Sequence, residues 1–365
     1  MLSKLNLKKY TGKTCLLRVD LNVEKEELKD NFRLRAILPT ISHLLKHGIR
    51  IVILSHRGRP GGFQKDLSLS PFGPLLSKAV GTQLDFIAAY RMGAIRKAIA
   101  NSAVKIILLE NLRFFNGEEA NDPSFARQLA SFGDFYVNDA FAVSHRPNAS
   151  VCAIAKYIPS YAGLLFEQEI TQLSGVREKQ PHPFLMIIGG AKVSDKLGVV
   201  SAFLKKIDRL LVGGGAANTF FAARRFPLGK SLVDWNSIPL VRKIARETEV
   251  VLPVDTVILK EQILDIGPRS ADLFATHIAK ARTIIWAGPP GYFAIKGCEN
   301  GTRSIWRAVL KNKKARTVVG GGETTAALKL VKNVKVPPNV FISTGGGAML
   351  EFLAGKKLPG IEALK

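Results

Sequence analysis

Apolar runs of three to five residues recur along the chain, each followed by a polar or glycine break and then by apolar residues at helical spacing. Runs this short read as strands buried on both faces, because a strand wetted on one side alternates apolar with polar. The stretches between them repeat with a helical period. Residues 34–47 place Leu34, Ile37, Leu38, Ile41, Leu44 and Leu45 on one face. Residues 125–132 do likewise behind Asn121-Asp122-Pro123, a cap followed by a first-turn proline. Residues 195–206 and 272–280 continue the pattern. Strands alternating with amphipathic helices predict β-α-β units and parallel sheets.

The strands end differently in the two halves. In the first, Leu16-Leu17-Arg18-Val19 runs to Asp20 and Asn22, and Ile51-Val52-Ile53-Leu54 runs to Ser55-His56-Arg57-Gly58-Arg59-Pro60. Ile106 to Leu109 leads to Glu110-Asn111-Leu112-Arg113, and Phe135-Tyr136-Val137 to Asn138-Asp139, with His145-Arg146 beyond. In the second half the runs stop at Gly189-Gly190, Gly213-Gly214-Gly215, Gly320-Gly321-Gly322 and Gly345-Gly346-Gly347. Ligands of open parallel sheets bind beyond the carboxyl ends of the strands. Guanidinium groups there suit a small phosphorylated or carboxylated anion. Glycine turns opening into helices suit a polyphosphate laid along backbone amides. The pattern predicts two anion sites, as phosphoryl transfer requires.

Composition narrows the alternatives. A length of 365 residues fits two domains, each with its own core. The longest uncharged stretch, residues 210–223, is too short to span a bilayer and carries Gly, Asn and Thr. The N-terminal residues lack a signal-like apolar core, and three scattered cysteines argue against a disulfide framework. A cytoplasmic protein is the expectation. The 53 basic and 29 acidic residues give a net charge of +24, which draws anionic substrates and also nucleic acid. The basic residues are dispersed, with no zinc-ligand spacing or aromatic-basic signature, so specific nucleic-acid binding is not expected.

Each motif has a plainer reading. Asp20 and Asn22 are also turn formers; Arg33 and Arg35 at a helix start are also ordinary surface. Three cations crowded into residues 56–59 have little structural use and point to an anion. His43 and His47 have metal-pair spacing but no third ligand nearby, so surface placement is expected. Gly189-Gly190-Ala191-Lys192-Val193-Ser194-Asp195-Lys196 is the sharpest signal: glycines permit close backbone approach, and lysines four apart share a helix face and bracket phosphates. Glu323 in Gly320-Gly321-Gly322-Glu323-Thr324 is either a helix-start charge or a magnesium ligand.

Taken in order, these blocks resemble phosphoglycerate kinase over nearly the whole chain, from Arg18-Val19-Asp20-Leu21-Asn22-Val23 to Leu358-Pro359-Gly360-Ile361-Glu362-Ala363-Leu364. The resemblance implies an α/β fold of two Rossmann-like, doubly wound parallel-sheet domains joined by a helical hinge. Residues 1–165 would bind 3-phosphoglycerate, 166–183 form the hinge helix and linker, 184–347 bind nucleotide, and 348–365 return to the first domain. The implied activity is reversible phosphoryl transfer between 1,3-bisphosphoglycerate and ADP, with Mg2+, by a monomer whose hinge closes over the substrates. By motif, Asp20, Asn22, Arg33, His56, Arg59, Arg113 and Arg146 would hold 3-phosphoglycerate. Gly190, Lys192, Lys196, Gly214, Gly321, Gly322, Glu323 and Thr324 would hold ATP or ADP, with Glu323 on the metal. Arg33, Lys192 and Gly322 would form the catalytic set.

The nucleotide half departs from the family pattern. Ala287 replaces an asparagine in Trp-Asn-Gly-Pro, Ala294 a ribose-binding glutamate, Ile263 a glycine bordering the adenine pocket, and Glu323 an aspartate. A stretch between Asp255 and Leu264 is missing. In the first half, Ala142-Val143-Ser144 replaces Gly-Thr-Ala, and Pro147-Asn148 follows His145-Arg146. These changes predict relaxed nucleotide recognition; the alternative is a kinase-derived protein that binds a phosphorylated acid without turnover.

Overall fold

Why the apolar runs must be buried on both faces is clear from the topology: each lies inside an all-parallel sheet with helices as its crossover connections. A computed structural model describes residues 5–23, 32–331 and 334–365. The chain forms two compact units, 1–170 with 357–365, and 171–356. Helix Leu164–Glu178 carries the chain from the first to the second.

The first unit contains strands β1 (Thr14–Arg18), β2 (Arg50–Leu54), β3 (Leu84–Ile87), β4 (Ile106–Leu109), β5 (Phe135–Asn138) and β6 (Ser160–Ala162), in the order β3-β4-β2-β1-β5-β6. The order reverses beside β1, so its carboxyl end and those of β2 and β5 open onto a crevice. Leu16, Leu17, Val52, Ile53, Leu108 and Val137 are fully buried in the sheet. Helix Phe32–Lys46 applies Leu34, Ile37, Ile41 and Leu44 to it, the face read from periodicity. Helix Pro123–Ala130 starts at the expected cap, where Asp122 accepts the Phe125 amide at 2.6 Å. The C-terminal residues pack here: the Gly360 amide donates to the Ser144 carbonyl at 2.9 Å, and a side chain at 360 would strike Val151 and Ser144.

The second unit's main sheet holds β7 (Phe184–Ile188), β8 (Arg209–Val212), β9 (Val250–Val251), β12 (Thr283–Ala287), β13 (Arg316–Gly320) and β14 (Val340–Ile342), in the order β14-β13-β12-β7-β8-β9. A separate antiparallel hairpin, β10 (Thr256–Leu259) and β11 (Gln262–Ile266), occupies the place of the missing stretch. Its two-residue turn puts Lys260 at φ 47° and Glu261 at φ 63°, the left-handed conformation such turns need. An aspartate anchors each end. Asp255 accepts the Arg269 and Ser270 amides of helix Pro268–Lys280, which therefore begins four residues before the expected 272. Asp265 accepts the Gly301 amide of helix Asn300–Lys311 at 2.8 Å.

One sequence reading needs correction. Helix Ser194–Phe203 starts after Lys192, so Lys192 and Lys196 do not share a helix face; Asp234 takes the Ser194 amide at 3.1 Å and sets the start there. His43 and His47 lie at the helix surface as expected, one exposed and one half-buried, and pack edge to face with ring centroids 4.8 Å apart.

Candidate functional sites

In the first unit, the polar residues at the strand ends brace one another before they face any ligand. Asp20 accepts the Asn22 amide at 3.0 Å with Oδ1 and pairs with Arg33 Nη1 at 2.9 Å through Oδ2. Arg33 also donates to the Asn22 carbonyl at 2.8 Å, while Asn22 Oδ1 accepts the Gly58 amide at 2.8 Å. The Asp20–Asn22 turn is therefore both a turn and a clamp on Arg33. Arg113 donates to the Gly58 carbonyl and pairs with Glu119 at 3.4 Å.

His56 lies at the centre and is buried. Burial, and then the charges of Arg18, Arg113, Arg33 and Arg146, hold its pKa well below the ordinary 6.5. Its Nδ1 accepts from Arg18 Nη2 at 3.2 Å, so the neutral ring carries its proton on Nε2. Burial also draws Arg113 down to about 10, with Arg146 and Arg18 adding repulsion. Arg146 is lowered by burial and then by Arg59, which places those two guanidinium groups together. All seven residues expected for an acid phosphate thus gather in one cluster whose cations repel one another. Arg59 is exposed, and among the described residues neither Arg59 nor Arg146 forms an ion pair with a carboxylate.

Sequence reasoning missed the layer behind this cluster. Arg18 is fully buried in β1, donating to Ser150 Oγ at 2.8 Å and lying 3.8 Å from Glu118, which itself accepts the Ser150 amide and hydroxyl. A lone arginine within an apolar strand was the available signal, because a buried charge demands a partner. Arg57, read as part of the anion site, is a strut that donates to the carbonyls of Val23 and Asp66 at 3.0 and 2.9 Å. Glu110 and Asn111 hold the loop after β2: Glu110 accepts from Ser68 and Leu69, and Asn111 exchanges hydrogen bonds with the Arg57 backbone.

In the second unit the site is backbone. Gly190 sits at φ 80°, its amide donating to the Pro289 carbonyl at 2.8 Å. A methyl group at Gly190 would lie 3.5 Å from Lys196 Nζ and 3.6 Å from Glu323 Oε2, so these three converge. Burial lowers the Lys196 pKa against the opposing charges of Asp195 and Glu323, and its ammonium donates to the Lys192 carbonyl at 3.1 Å. The Lys192 side chain is exposed just ahead of the helix. Gly214, at φ 57°, packs on the Gly190 backbone, and Gly346 approaches Gly321, where a methyl at 346 would lie 3.4 Å from the Gly321 Cα. Gly322 and Glu323 are exposed at the head of helix Gly322–Ala326. Thr324 is buried, and its hydroxyl accepts the Gly288 amide at 2.8 Å, so it braces the turn after β12.

Of the substituted positions, Ala287 is buried at the end of β12, Ala294 is exposed in a turn, and Ile263 is half-buried in β11. Among the described residues no helix is long and apolar enough to cross a membrane.

Comparison with known proteins spans both units. The family model for phosphoglycerate kinase matches residues 5–356. The chain is 42% identical over 381 residues to phosphoglycerate kinase of Dictyoglomus turgidum, covering 97% of this chain and 96% of the relative. It is 42% identical over 396 residues to that of Moorella thermoacetica, covering 100% and 99%. Among solved structures, phosphoglycerate kinase from Pyrococcus horikoshii matches with a TM-score of 0.86 at 31% identity, over 97% of this chain and 96% of that one. A Rossmann-like pair of parallel sheets, a cation cluster in one and glycine loops in the other, and likeness along the full length lead to one conclusion: the chain belongs to the phosphoglycerate kinase family.

Proposed function

We propose that this chain transfers a phosphoryl group reversibly between the acyl phosphate of 1,3-bisphosphoglycerate and ADP, giving 3-phosphoglycerate and ATP. The observation that carries the reading is the cluster around His56, where burial and then the charges of neighbouring guanidinium groups lower the pKa values of His56, Arg113 and Arg146. A phosphorylated acid relieves that repulsion. Asp20, Asn22, Arg33, His56, Arg59, Arg113 and Arg146 bind it; the Nε2 proton of neutral His56 serves as a hydrogen-bond donor. Gly190, Lys192, Lys196, Gly214, Gly321, Gly322, Glu323 and Thr324 form the nucleotide side, most of them through backbone.

Phosphoryl transfer needs positioning and charge neutralisation more than a base. Arg33, held in place by Asp20, and Lys192 neutralise the transferring group, and Gly322 offers backbone without a side chain in the way. The donor set fits Mg2+, which is commonly held by one or two carboxylates plus substrate phosphates. Glu323 is such a carboxylate, exposed beside Gly190 and Lys196. The ion, when bound by Glu323, supplies neutralisation of phosphate charge. The enzyme acts as a cytoplasmic monomer in this reading.

A coupled assay of 3-phosphoglycerate phosphorylation by Mg-ATP tests the proposal. Arg33→Ala and Lys192→Ala should each lower kcat by about 10³ or more. Turnover that survives Lys192→Ala, or none from folded wild type, sinks it; the second outcome favours a binding protein without turnover. Loss of two hydrogen bonds at Ala287 and Ala294 weakens nucleotide binding by roughly 10²–10³. Comparable turnover with ATP and GTP would support relaxed recognition, whereas tight, strict ATP selectivity would exclude it.

A further inference from the structure

The turn 287–290 joins the glycine loops of the second unit. Gly189 donates to the Ala287 carbonyl at 3.1 Å and Gly190 to that of Pro289 at 2.8 Å, while Gly213 packs against Pro290. Trp286 Nε1 donates to the Gly288 carbonyl at 2.9 Å, and the Gly288 amide to Thr324. Beyond the turn, the chain rests on Asp265. A side chain at either Gly291 or Gly301 would overlap its carboxylate. Oδ2 accepts the Gly301 amide and Oδ1 the Ile266 amide, each at 2.8 Å. The neighbouring Tyr292 amide donates to the Leu264 carbonyl at 2.7 Å, and the Gly291 amide to Thr302 Oγ1 at 3.3 Å. The carboxylate therefore ties the start of helix Asn300–Lys311 to β11, and the segment on which the glycine loops converge packs directly on it at Gly291 and bonds to its neighbours Leu264 and Thr302.

We propose that Asp265 is a positioning residue for the nucleotide: its ionised carboxylate keeps turn 287–292 and the start of helix Asn300–Lys311 in register, and proton uptake there weakens nucleotide binding. The inference rests on the reading that these loops hold the nucleotide. Its chemistry is simple. A carboxylate offers acceptors to both amides, whereas the acid form turns one oxygen into a hydroxyl and leaves one amide poorly matched. Burial raises the pKa from 3.8 to about 7, against the amides of Gly301 and Ile266, which favour the charged form. The facing ionisable groups are Glu299, itself paired with Arg303 at 3.3 Å, and the buried Cys298 thiol. Helix Gly214–Ala223 packs against β11, and β10 pairs with it; neither carries an ionisable side chain.

The experiment compares KM for Mg-ATP and for 3-phosphoglycerate at about pH 8 and about pH 6, in wild type and Asp265→Asn. Asparagine, like the acid form, keeps one acceptor oxygen. Wild type should show KM for Mg-ATP rising roughly 3–10-fold on acidification, and Asp265→Asn should sit at the raised value at both pH values. KM for 3-phosphoglycerate should respond equally to pH in the two proteins. A flat wild-type profile, or the same Mg-ATP pH dependence in both, overturns the inference. If wild type shows no turnover at about pH 8, the reaction reading fails by itself and amide hydrogen exchange decides. Loss of protection at the amides of Gly288, Gly291, Tyr292 and residues 300–302 on acidification, after correction for intrinsic rates, supports the role of Asp265. Unchanged protection overturns it, and this readout stands on wild type alone should Asp265→Asn fail to fold.

Discussion

Beyond the ends of their parallel strands the two α/β units present opposite materials. The first uses charged side chains and keeps them apart from collapse with a second set of buried side chains: Asp20 on Arg33, and Glu118 and Ser150 on Arg18 behind His56. The second uses glycines so tightly packed that backbone meets backbone, with Gly189 against Gly288 and Pro289, and Gly215 against Ala191. Net charge does not follow this division. The second unit carries 28 basic and 13 acidic residues, the first 25 and 16, so the greater excess lies where the site uses fewer cations. A side-chain site is sensitive to loss of a partner; a backbone site is sensitive to gain of an atom.

The largest effect should come from breaking the braced side of the comparison. Arg18→Met leaves Glu118 buried without its cation and should cost about 3–5 kcal/mol. Denaturant unfolding should show the loss; a change under about 1 kcal/mol would mean that Ser150 alone satisfies Glu118. On the backbone side, Gly288→Ala places a methyl against the Gly189 carbonyl at φ 92°, for about 2–4 kcal/mol. Calorimetric titration should find nucleotide binding lost and 3-phosphoglycerate binding kept. Equal damage to both ligands would refute the independence of the two sites.

Asp139 sharpens the contrast through pH. It is fully buried, and burial raises its pKa from 3.8 to about 6, although it accepts the Phe166 amide at 3.0 Å. The folded state binds this proton more tightly than the unfolded one. Its contribution favours folding below about pH 4 and is lost as pH rises through about 6. Asp139→Asn should therefore be neutral or stabilising by on the order of 1–3 kcal/mol at pH 8, with that gain vanishing near pH 4. Melting curves at the two pH values check it, and destabilisation at pH 8 would contradict it. The smallest effect belongs to the hairpin. Lys260→Asn relieves a left-handed residue without disturbing the exposed Lys230–Glu261 pair and should add about 0.5 kcal/mol, read as a small rise in Tm.

Much of this was legible in the chain because it is local. The helical face of residues 34–44, the Asp122 cap and the glycine strand ends follow from spacing and steric need. Six of the seven clustered residues were legible because each sits at or just beyond the end of an apolar run, while Arg33, at a helix start, joined them only through the family resemblance. Arg18, Glu118, Ser150 and Asp265 were not. They lie far apart in sequence from their partners (Arg18 from Ser150 by 132 positions, Asp265 from Gly301 by 36), and no periodicity marks which charge will be buried. Arg57 misled for the same reason: an arginine beside an anion site looks the same in sequence whether it serves the ligand or two loop carbonyls.

By itself the sequence determined two parallel α/β units and the contrast between charged strand ends in one and glycine strand ends in the other, since these depend on residue size, charge and local period. Tertiary structure decided which cations face solvent, that His56 is neutral with its proton on Nε2, that Lys192 precedes its helix rather than joining it, that Thr324 braces the turn after β12 and that Asp265 takes the amide of Gly301. Burial and long-range pairing set the cost of every charge, and neither exists until the chain has folded.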